Sequence, residues 1–548
     1  MKRALCALER RPRRVLAALV ALNWLAALFV AAIAEHQGWL YGWRQYQSGD
    51  DLYYHSHAWL LGTGSLPPAL IGYLWPVLLA PIAGLAGSLV TDAAPAAMVL
   101  QVVVLLPVAL LCIYSIATRI AGRVFGYWAA AVWIVLPLAA IPLFDPRYHG
   151  QYVDQILPHV YGLMYQGDFP SLIAVLVSAA FLMRALDTRS LLDVGIAGLM
   201  AGLAAGVKPA NLIFLPAPFL ALAAARRWRE LIPFGLAVLP GVLTLALWKE
   251  RGLGYLPAFA LPELRVALDA LPALGVERLT NPVERYVDLD WGKLQEHEDL
   301  LREYFWSVRL LEWAPLAGLI AVVRRSIPAA VLLTVWLGSY LVFKGTSGSA
   351  TVYYSGTFFR LLLPAFPAFV LLVAAIPLLV PRGSSRVELV PKRATLLPAR
   401  ARWALAFVGA ALIVVPAAAL AVLPRSEPQQ LLTWSPENVV IPVDPTLRLR
   451  VSQPGRRPRL TWDGRDLRPT DIRYRIFRSP RTGDCLVPFE RSCFLVAVPE
   501  GTTREPDWTV QGPRGRWLYR LAIEVPWTDE PERGGLILIG PPLAVDVR

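Results

Sequence analysis

The chain has 548 residues, of which 56% are hydrophobic and only 17% are charged. Soluble domains carry about 25% charged residues, so this composition excludes a purely water-soluble protein. The formal net charge of +13 does not indicate nucleic-acid binding, because the basic residues flank apolar runs, where they set membrane topology.

Apolar runs of about 20 residues, long enough to cross a bilayer, recur from Val15 to Leu423. The first run follows the basic segment MKRALCALERRPRR and lacks a small-residue cleavage site, so we expect a retained span rather than a signal peptide. We predict about eleven transmembrane helices, at about 15–34, 98–117, 126–144, 169–186, a pair around the hairpin tip 208–211, 231–247, one ending at 324–325, 327–343, 358–380 and 403–423. The Pro- and Gly-rich run 68–85 has no basic flank and is expected to lie in or re-enter the membrane.

Basic clusters fix the predicted orientation. With this number of spans, every cluster of two or more basic residues next to a span falls on one side of the membrane. We therefore expect a multi-pass protein of the plasma membrane with a cytoplasmic N-terminus and an extracytoplasmic C-terminus.

The composition changes after Pro424, where the apolar runs stop and short alternating segments rich in Arg, Pro and Asp begin. We predict a membrane domain at 1–424 and an extracytoplasmic β-sandwich at 431–548, because short strands alternate with Pro, Gly and Asp turns. The predicted strands are 438–443, 448–451, 459–462, 473–477, 494–498, 517–525 and 536–538. The buried Trp462 and the late Trp517-Leu518-Tyr519 strand resemble a fibronectin type III module, for which both a role in acceptor binding and a passive capping role stay open.

Two of the four cysteines, Cys485 and Cys493, lie in the C-terminal segment with seven residues between them and suit a small disulfide loop, which needs an oxidising compartment. No Cys-x-x-Cys spacing is present, so the sequence indicates no structural metal site.

The outer loops carry most carboxylates and histidines of the membrane domain, most densely at 48–57, which reads SGDDLYYHSH. A carboxylate there, Asp50 or Asp51, suits a general base. The alternative is that Asp50 caps a helix beginning at Leu52. The pair His55 and His57 beside two aspartates leaves a divalent metal open as the minority interpretation.

Several motifs, taken together and in order, resemble the GT-C fold membrane glycosyltransferases, in particular the branch of protein O-mannosyltransferases and the lipid A aminoarabinose transferase. The resemblance covers roughly residues 15–380. It rests on the Asp-Asp pair after span one, the following Trp59-Leu60-Leu61-Gly62, the run IYSIATRIAGRVFG at 113–126, the glycine-rich GLAAGVK at 202–208, and GTFFR at 356–360 before LLLPAFPAFVLL.

The resemblance implies transfer of a sugar from a polyprenyl-phosphate carrier to a cell-envelope glycan, lipid or protein, with surrounding membrane lipids and no nucleic acid as partners. It makes Asp50 the base, with Asp51 as its neighbour. Lys208 and Arg360 would contact the carrier phosphate, although snorkelling to the interface is the alternative for both. The remaining candidates are Asp168, which occupies the family's acidic position before span four, its rival Asp154, and the loop-one residues Tyr54 and His55.

Two further interpretations stay open. The acidic segment 282–306 suits either a lid or acceptor surface, or a solvated amphipathic helix. The alternative function is a lipid or glycan transporter or flippase; such proteins usually show internal repeats and ionisable residues at mid-membrane, neither of which is evident here. The sequence identifies neither the sugar nor the acceptor.

Overall fold

A computed structural model represents the protein. It describes residues 11–33, 49–69, 71–87, 90–140, 163–253, 289–303, 310–346, 357–380, 398–426, 430–434, 444, 446–455, 457–463, 473–480, 493–526 and 534–548. Asp154, Cys485, the strand predicted at 438–443 and most of the acidic segment before Trp291 lie outside these residues.

The described N-terminal part is helical. Its α-helices are α1 (Pro12–Ile33), α2 (Gly49–Gly62), α3 (Leu74–Ala86), α4 (Val90–Val99), α5 (Leu106–Ala121), α6 (Arg123–Ala140), α7 (Asp168–Thr188), α8 (Leu191–Val207), α9 (Pro216–Ala224), α10 (Trp228–Leu253), α11 (Trp291–Glu303), α12 (Leu310–Val323), α13 (Ile327–Gly345), α14 (Thr357–Leu362), α15 (Phe366–Ala374) and α16 (Ala399–Val422). A π-helical stretch, Leu100–Leu105, joins α4 to α5, and 3₁₀ turns occupy Pro209–Phe214, Leu363–Ala365 and Ile376–Leu379.

By length and composition, seven helices within the described residues can cross a membrane: Pro12–Phe29, Asp92–Ala121, Asp168–Thr188, Trp228–Gly252, Ile327–Gly345, Arg360–Leu379 and Ala399–Val422. Shorter apolar helices occur at Leu74–Ala86, Arg123–Leu136, Leu191–Val207, Pro209–Ala224 and Glu312–Val323. The fold class predicted for this part, a polytopic helical bundle, is confirmed. The number of eleven spans and the orientation stay predictions.

The helix α7 forms the centre of the bundle, with almost all of its residues buried. It packs against α5 on one side and α8 on the other, and α8 packs in turn against α10. Gly202 of α8 and Gly241 of α10 meet where a Cβ atom on Gly241 would lie 2.4 Å from the carbonyl carbon of Gly202. Small residues therefore let these backbones approach closely, as is typical of helix packing in membranes.

Three sequence predictions differ from the structure. Helix α2 begins at Gly49 rather than at Leu52, so the interpretation of Asp50 as the N-cap is wrong. Carboxylates at positions 50 and 51 then stand in the first turn, where the helix dipole favours negative charge. The span predicted at 98–117 extends back through the π stretch to Val90.

The span predicted at 358–380 is the third difference, because it is broken into α14, α15 and two 3₁₀ turns rather than one helix. Pro364 and Pro367 each remove a backbone N–H donor from the helical ladder. The indole Nε1 of Trp336, on α13, donates a hydrogen bond to the carbonyl oxygen of Pro364 at 2.9 Å. That contact satisfies a carbonyl group at the break, as a polar group within an apolar bundle requires.

The C-terminal part forms two antiparallel sheets. Its strands are β1 (Gln430–Trp434), β2 (Arg450–Gln453), β3 (Arg459–Thr461), β4 (Arg473–Pro480), β5 (Cys493–Thr503), β6 (Asp507–Thr509), β7 (Gly515–Pro526), β8 (Gly534–Ile539) and β9 (Leu543–Val547). One sheet has the order β1-β5-β4-β7-β8, with β9 also paired to β7, and the other has the order β2-β3-β6. The predicted buried tryptophan, Trp462, packs edge-on against Tyr474 with ring centroids 5.1 Å apart.

The backbone that follows α16 pairs with the loop after α2. Leu66 donates its N–H to the carbonyl oxygen of Pro424 at 2.7 Å and accepts from the N–H of Ser426 at 2.8 Å. This short parallel bridge fixes the exit of α16 beside the segment that carries the loop-one residues.

Candidate functional site

The site is built first on the hairpin of α7 and α8. Asp168 is the first residue of α7, and Lys208 is the residue at which α8 ends and the chain becomes extended. The helix dipole favours a carboxylate at an N-terminus and a cation at a C-terminus, so each residue has a suitable position. The Lys208 Nζ donates to Asp168 Oδ1 at 2.5 Å.

Arg360, on the short helix α14, joins this pair from another part of the chain. Its Nε atom lies 3.8 Å from Asp168 Oδ1, and its Nη1 donates to Gln166 Oε1 at 3.4 Å. The structure thus brings together three of the sequence-predicted residues, separated by up to 192 positions, with the two cations beside the carboxylate of the third. We call Asp168, Lys208 and Arg360 the charged cluster.

The charged cluster is positive overall and shielded from solvent. The side chain of Asp168 is 1% exposed, whereas those of Lys208 and Arg360 are 17% and 16% exposed. An ammonium group has three N–H donors. Lys208 uses one of them on Asp168, and no other hydrogen bond joins its Nζ to any described residue. The cluster therefore combines one negative with two positive charges and keeps donors for a further anionic group.

Asn211 fixes the turn that follows Lys208. Its Nδ2 donates to Ser171 Oγ at 2.5 Å and to the carbonyl oxygen of Ala204 at 2.7 Å. Its Oδ1 accepts from the hydroxyl of Tyr340 on α13 at 2.8 Å. This buried amide links α7, α8 and α13, and holds the Lys208 backbone relative to Asp168.

Helix α2, which carries the loop-one residues, forms another side of the site. Tyr54 is buried and lies against Gly167, directly before Asp168. The Nδ1 of His55, also buried, lies 3.3 Å from the Tyr165 hydroxyl, with the two rings edge-on. The two loop-one residues predicted at the site therefore contact the segment that leads into α7.

The segment before α7 is held by polar contacts from other helices. The Nε1 of Trp75, at the start of α3, donates to the carbonyl oxygen of Tyr165 at 2.9 Å. The buried amide of Gln101, in the π-helical stretch, donates to the carbonyl oxygen of Met164. A non-helical segment at this depth needs such partners for its backbone, and they fix the approach to Asp168.

There is no room for a side chain at Gly167. A substitution at this position therefore tests directly whether Tyr54 packs against it. A Cβ atom there would lie 2.5 Å from the Tyr54 hydroxyl oxygen. We expect Gly167→Ala to lower the free energy of unfolding by about 1–3 kcal/mol, because overpacking forces the aromatic ring to move. Thermal unfolding in detergent measures the change.

Gly195 provides the matched control for that substitution, because a Cβ atom there meets no atom within 4 Å. Gly195→Ala should be neutral or slightly stabilising in the interior of α8. The double variant Gly167→Ala/Tyr54→Ala should recover part of the loss. Equal stability of the two single glycine variants would contradict the packing of Tyr54 on Gly167.

For Asp50 and Asp51, the candidates for the general base, the structure describes the backbone but not the side chains. Positions 50 and 51 fall in the first turn of α2, and their side chains lie outside the described residues. Position 50 is one turn before Tyr54, and residues four apart share a helix face. The backbone therefore places Asp50 on the face of α2 that contacts the segment before Asp168.

The second loop-one histidine occupies a different environment. His57 is buried, and burial together with the positive charge of Lys249 lowers its pKa to about 3. The Lys249 Nζ donates to the carbonyl oxygen of Ala69 at 2.6 Å. Among the described residues, no group of three or more His, Cys, Asp or Glu side chains is arranged to hold a metal.

Sequence reasoning missed the uncharged members of the site. Gln101, Tyr165, Gln166, Asn211 and Tyr340 are all buried and all hydrogen-bonded around it. A buried amide within an apolar run, such as Gln101 or Asn211, is costly unless it is paired. That cost is a usable signal in the sequence, whereas the partner of each amide is set only by the folded chain.

The chain was also compared with known proteins. No family model matches it, and no curated protein matches it. Solved structures similar to the chain include ArnT from Cupriavidus metallidurans bound to undecaprenyl phosphate, with 15% identity, a TM-score of 0.39, and coverage of 73% of this chain and 63% of that one. The oligosaccharyltransferase of Archaeoglobus fulgidus in the apo form gives 12% identity, a TM-score of 0.39 and coverage of 74% and 55%.

A third similar structure is the oligosaccharyltransferase AglB of the same archaeon, in complex with an inhibitory peptide and a dolichol-phosphate, with 12% identity and a TM-score of 0.41. Coverage is 75% of this chain and 56% of that one, so the match spans less than two thirds of each of the three chains.

Proposed function

We propose that this protein is a membrane glycosyltransferase that moves a sugar from a polyprenyl-phosphate carrier to a cell-envelope glycan, lipid or protein at the outer face of the membrane. The observation that carries the proposal is the charged cluster, in which Lys208 keeps N–H donors beside a buried carboxylate. A lipid phosphate is the anion that such a position, at the ends of membrane helices, is suited to bind.

The proposed chemistry is an inverting displacement. An acceptor hydroxyl oxygen attacks the anomeric carbon, the bond from that carbon to the phosphate oxygen breaks, and the hydroxyl proton passes to Asp50 or Asp51. Lys208 and Arg360 stabilise the charge that develops on the leaving phosphate, and such preorganised stabilisation is usually the largest contribution to catalysis.

Asp168 serves in this proposal as a positioning residue rather than as the base. Its Oδ1 accepts from Lys208 and lies near Arg360, and its Oδ2 is buried without a hydrogen-bond partner among the described residues. The carboxylate holds the two cations together, and without it their mutual repulsion would separate them.

Two of the similar solved structures contain undecaprenyl phosphate or a dolichol-phosphate, the carrier class proposed here.

The proposal is tested by supplying membranes that contain the full chain with a panel of radiolabelled polyprenyl-phosphate sugars. We expect label from one sugar to move to an envelope acceptor, with release of polyprenyl phosphate. Matched membranes without the chain serve as the control. Movement of intact labelled carrier across sealed vesicles, without transfer of the sugar, would replace the enzyme with a transporter.

The C-terminal sheets are proposed to be an extracytoplasmic domain that favours acceptor use. Because residues 424–426 pair with Leu66, a truncation should retain Ser426. We expect a chain ending at Ser426 to bind the carrier lipid normally and to lose about tenfold in transfer to a large acceptor. Carrier affinity and acceptor KM measure the two effects. Equal loss in both would make the domain a structural support.

A further inference from the structure

A second feature suited to a lipid lies at the other end of the bundle. A cavity of about 530 Å³ separates α16 from α5 and α7. Its lining covers residues 108–115, 177–184 and 401–408, seven steps along each helix. At 1.5 Å per residue this is a length of about 10 Å parallel to the helix axes. Leu111 and Val408 on its rim are 39% and 51% exposed, so the cavity is a groove open on its side.

One end of the groove is cationic. Arg184 lines it, is 7% exposed, and donates from Nε to Asp193 Oδ2 at 3.0 Å. Its two terminal nitrogens form no hydrogen bond with any described residue. Arg402 follows the lining residue Ala401 and donates from Nη1 to Asp193 Oδ1 at 3.2 Å. The Arg402 Nε is buried and has no partner in the described part of the chain.

Two guanidinium groups therefore share one carboxylate and keep unused N–H donors at the end of an apolar groove. A buried polar donor without a partner costs about 1–3 kcal/mol. An anion seated there would satisfy these donors and balance the excess positive charge. Basic pockets between transmembrane helices are a known form of anionic lipid site.

The lining and the charge of the groove favour a lipid. The apolar side chains of Val108, Val177 and Val408 suit an acyl chain. The guanidinium groups at one end suit an anionic headgroup joined to that chain.

This groove is distinct from the proposed carrier site. Arg184 and Asp168 stand near opposite ends of α7, sixteen residues apart. The distance along the helix is about 24 Å, most of the thickness of a bilayer core. One phosphate group cannot contact both ends.

We propose that the groove between α16, α5 and α7 binds a glycerophospholipid with an anionic headgroup. One acyl chain occupies the apolar part, and the headgroup phosphate accepts hydrogen bonds from Arg184 and Arg402. The bound lipid joins α16, which leads to the C-terminal sheets, to the core of the bundle.

Native mass spectrometry of the full chain in detergent tests the proposal with three probes: phosphatidylglycerol, phosphatidylcholine and inorganic phosphate. We expect one phosphatidylglycerol per chain, bound about tenfold more tightly than phosphatidylcholine, and no retention of inorganic phosphate. Equal affinity for the two lipids would overturn the role of the arginines. Retention of phosphate alone would overturn the role of the groove.

Paired variants locate the binding. Arg402→Gln should weaken phosphatidylglycerol binding about tenfold, as expected for loss of a charged hydrogen bond. Arg400→Gln, at an exposed position on the same helix, should not. Ala404→Trp fills the groove and should abolish binding, whereas Ala410→Trp on the opposite face of α16 should leave it unchanged.

Two outcomes would overturn the proposal even if a lipid is bound. The first is equal effects within either pair of variants, since only Arg402 shares Asp193 with the lining residue Arg184, and only Ala404 lines the groove. The second is a preference for undecaprenyl phosphate over phosphatidylglycerol that Ala404→Trp removes, because the groove would then belong to the sugar carrier.

Discussion

Replacing Lys208 with Gln is expected to lower kcat/KM for sugar transfer by about 10²–10³, the loss typical of removing one preorganised donor from a developing oxyanion. The physical reason lies in the proposed mechanism, in which the Lys208 ammonium, held 2.5 Å from Asp168 Oδ1, uses its remaining N–H donors on the carrier phosphate. Initial rates with purified protein and labelled carrier measure the effect. Lys208→Arg keeps the charge and should lose less.

A loss of activity in this variant must be separated from a loss of folding. Without Lys208 the buried Asp168 carboxylate loses its nearest cation, and breaking a buried pair costs about 3–5 kcal/mol. The double variant Lys208→Gln/Asp168→Asn removes both charges, so it should recover stability and remain inactive. Lys293→Gln on α11 is the matched control. Recovery of activity in the double variant would contradict the role of Lys208 toward phosphate.

The second large effect is expected at the base. Asp50→Asn should lower kcat by about 10²–10⁴, the usual contribution of general base catalysis, while the affinity for the carrier changes little. Asn keeps the size of the side chain but does not accept the proton of the acceptor hydroxyl. Single-turnover rates and a separate carrier-binding measurement distinguish chemistry from binding.

Asp51→Asn decides which of the two carboxylates is the base, because the variant with the larger loss in kcat identifies it. Asp187→Asn, at the far end of α7, is the control for a lost carboxylate elsewhere in the bundle. Full activity in both Asp50→Asn and Asp51→Asn would remove loop one from the mechanism.

The sequence pattern was sufficient for much of the helical architecture. Runs such as 169–186 and 327–343 correspond to α7 and α13, because an apolar run of about 20 residues has few alternatives to a buried or membrane helix. The run at 358–380 was misread as one helix, since hydropathy alone does not register the breaks at its prolines.

The strands of the C-terminal part were predicted with similar success where side chains alternate. The predictions at 473–477 and 517–525 lie within β4 and β7. The strands β1, β6 and β9 were not predicted. A three-residue strand such as β6 carries too little alternation to be recognised, and it exists because β3 pairs with it.

By itself, the sequence determined which side chains are chemically able to act and at which helix ends they lie. Asp168, Lys208 and Arg360 each stood out as a charge beside an apolar run, where an unpaired charge is costly. Only the tertiary structure decided that Lys208 and Arg360 both lie beside the Asp168 carboxylate, because these contacts join parts of the chain 40 and 192 residues apart. The buried amides and the groove beside α16 were likewise decided by packing, since the partner of a hydrogen bond and the width of a gap follow from how helices approach one another.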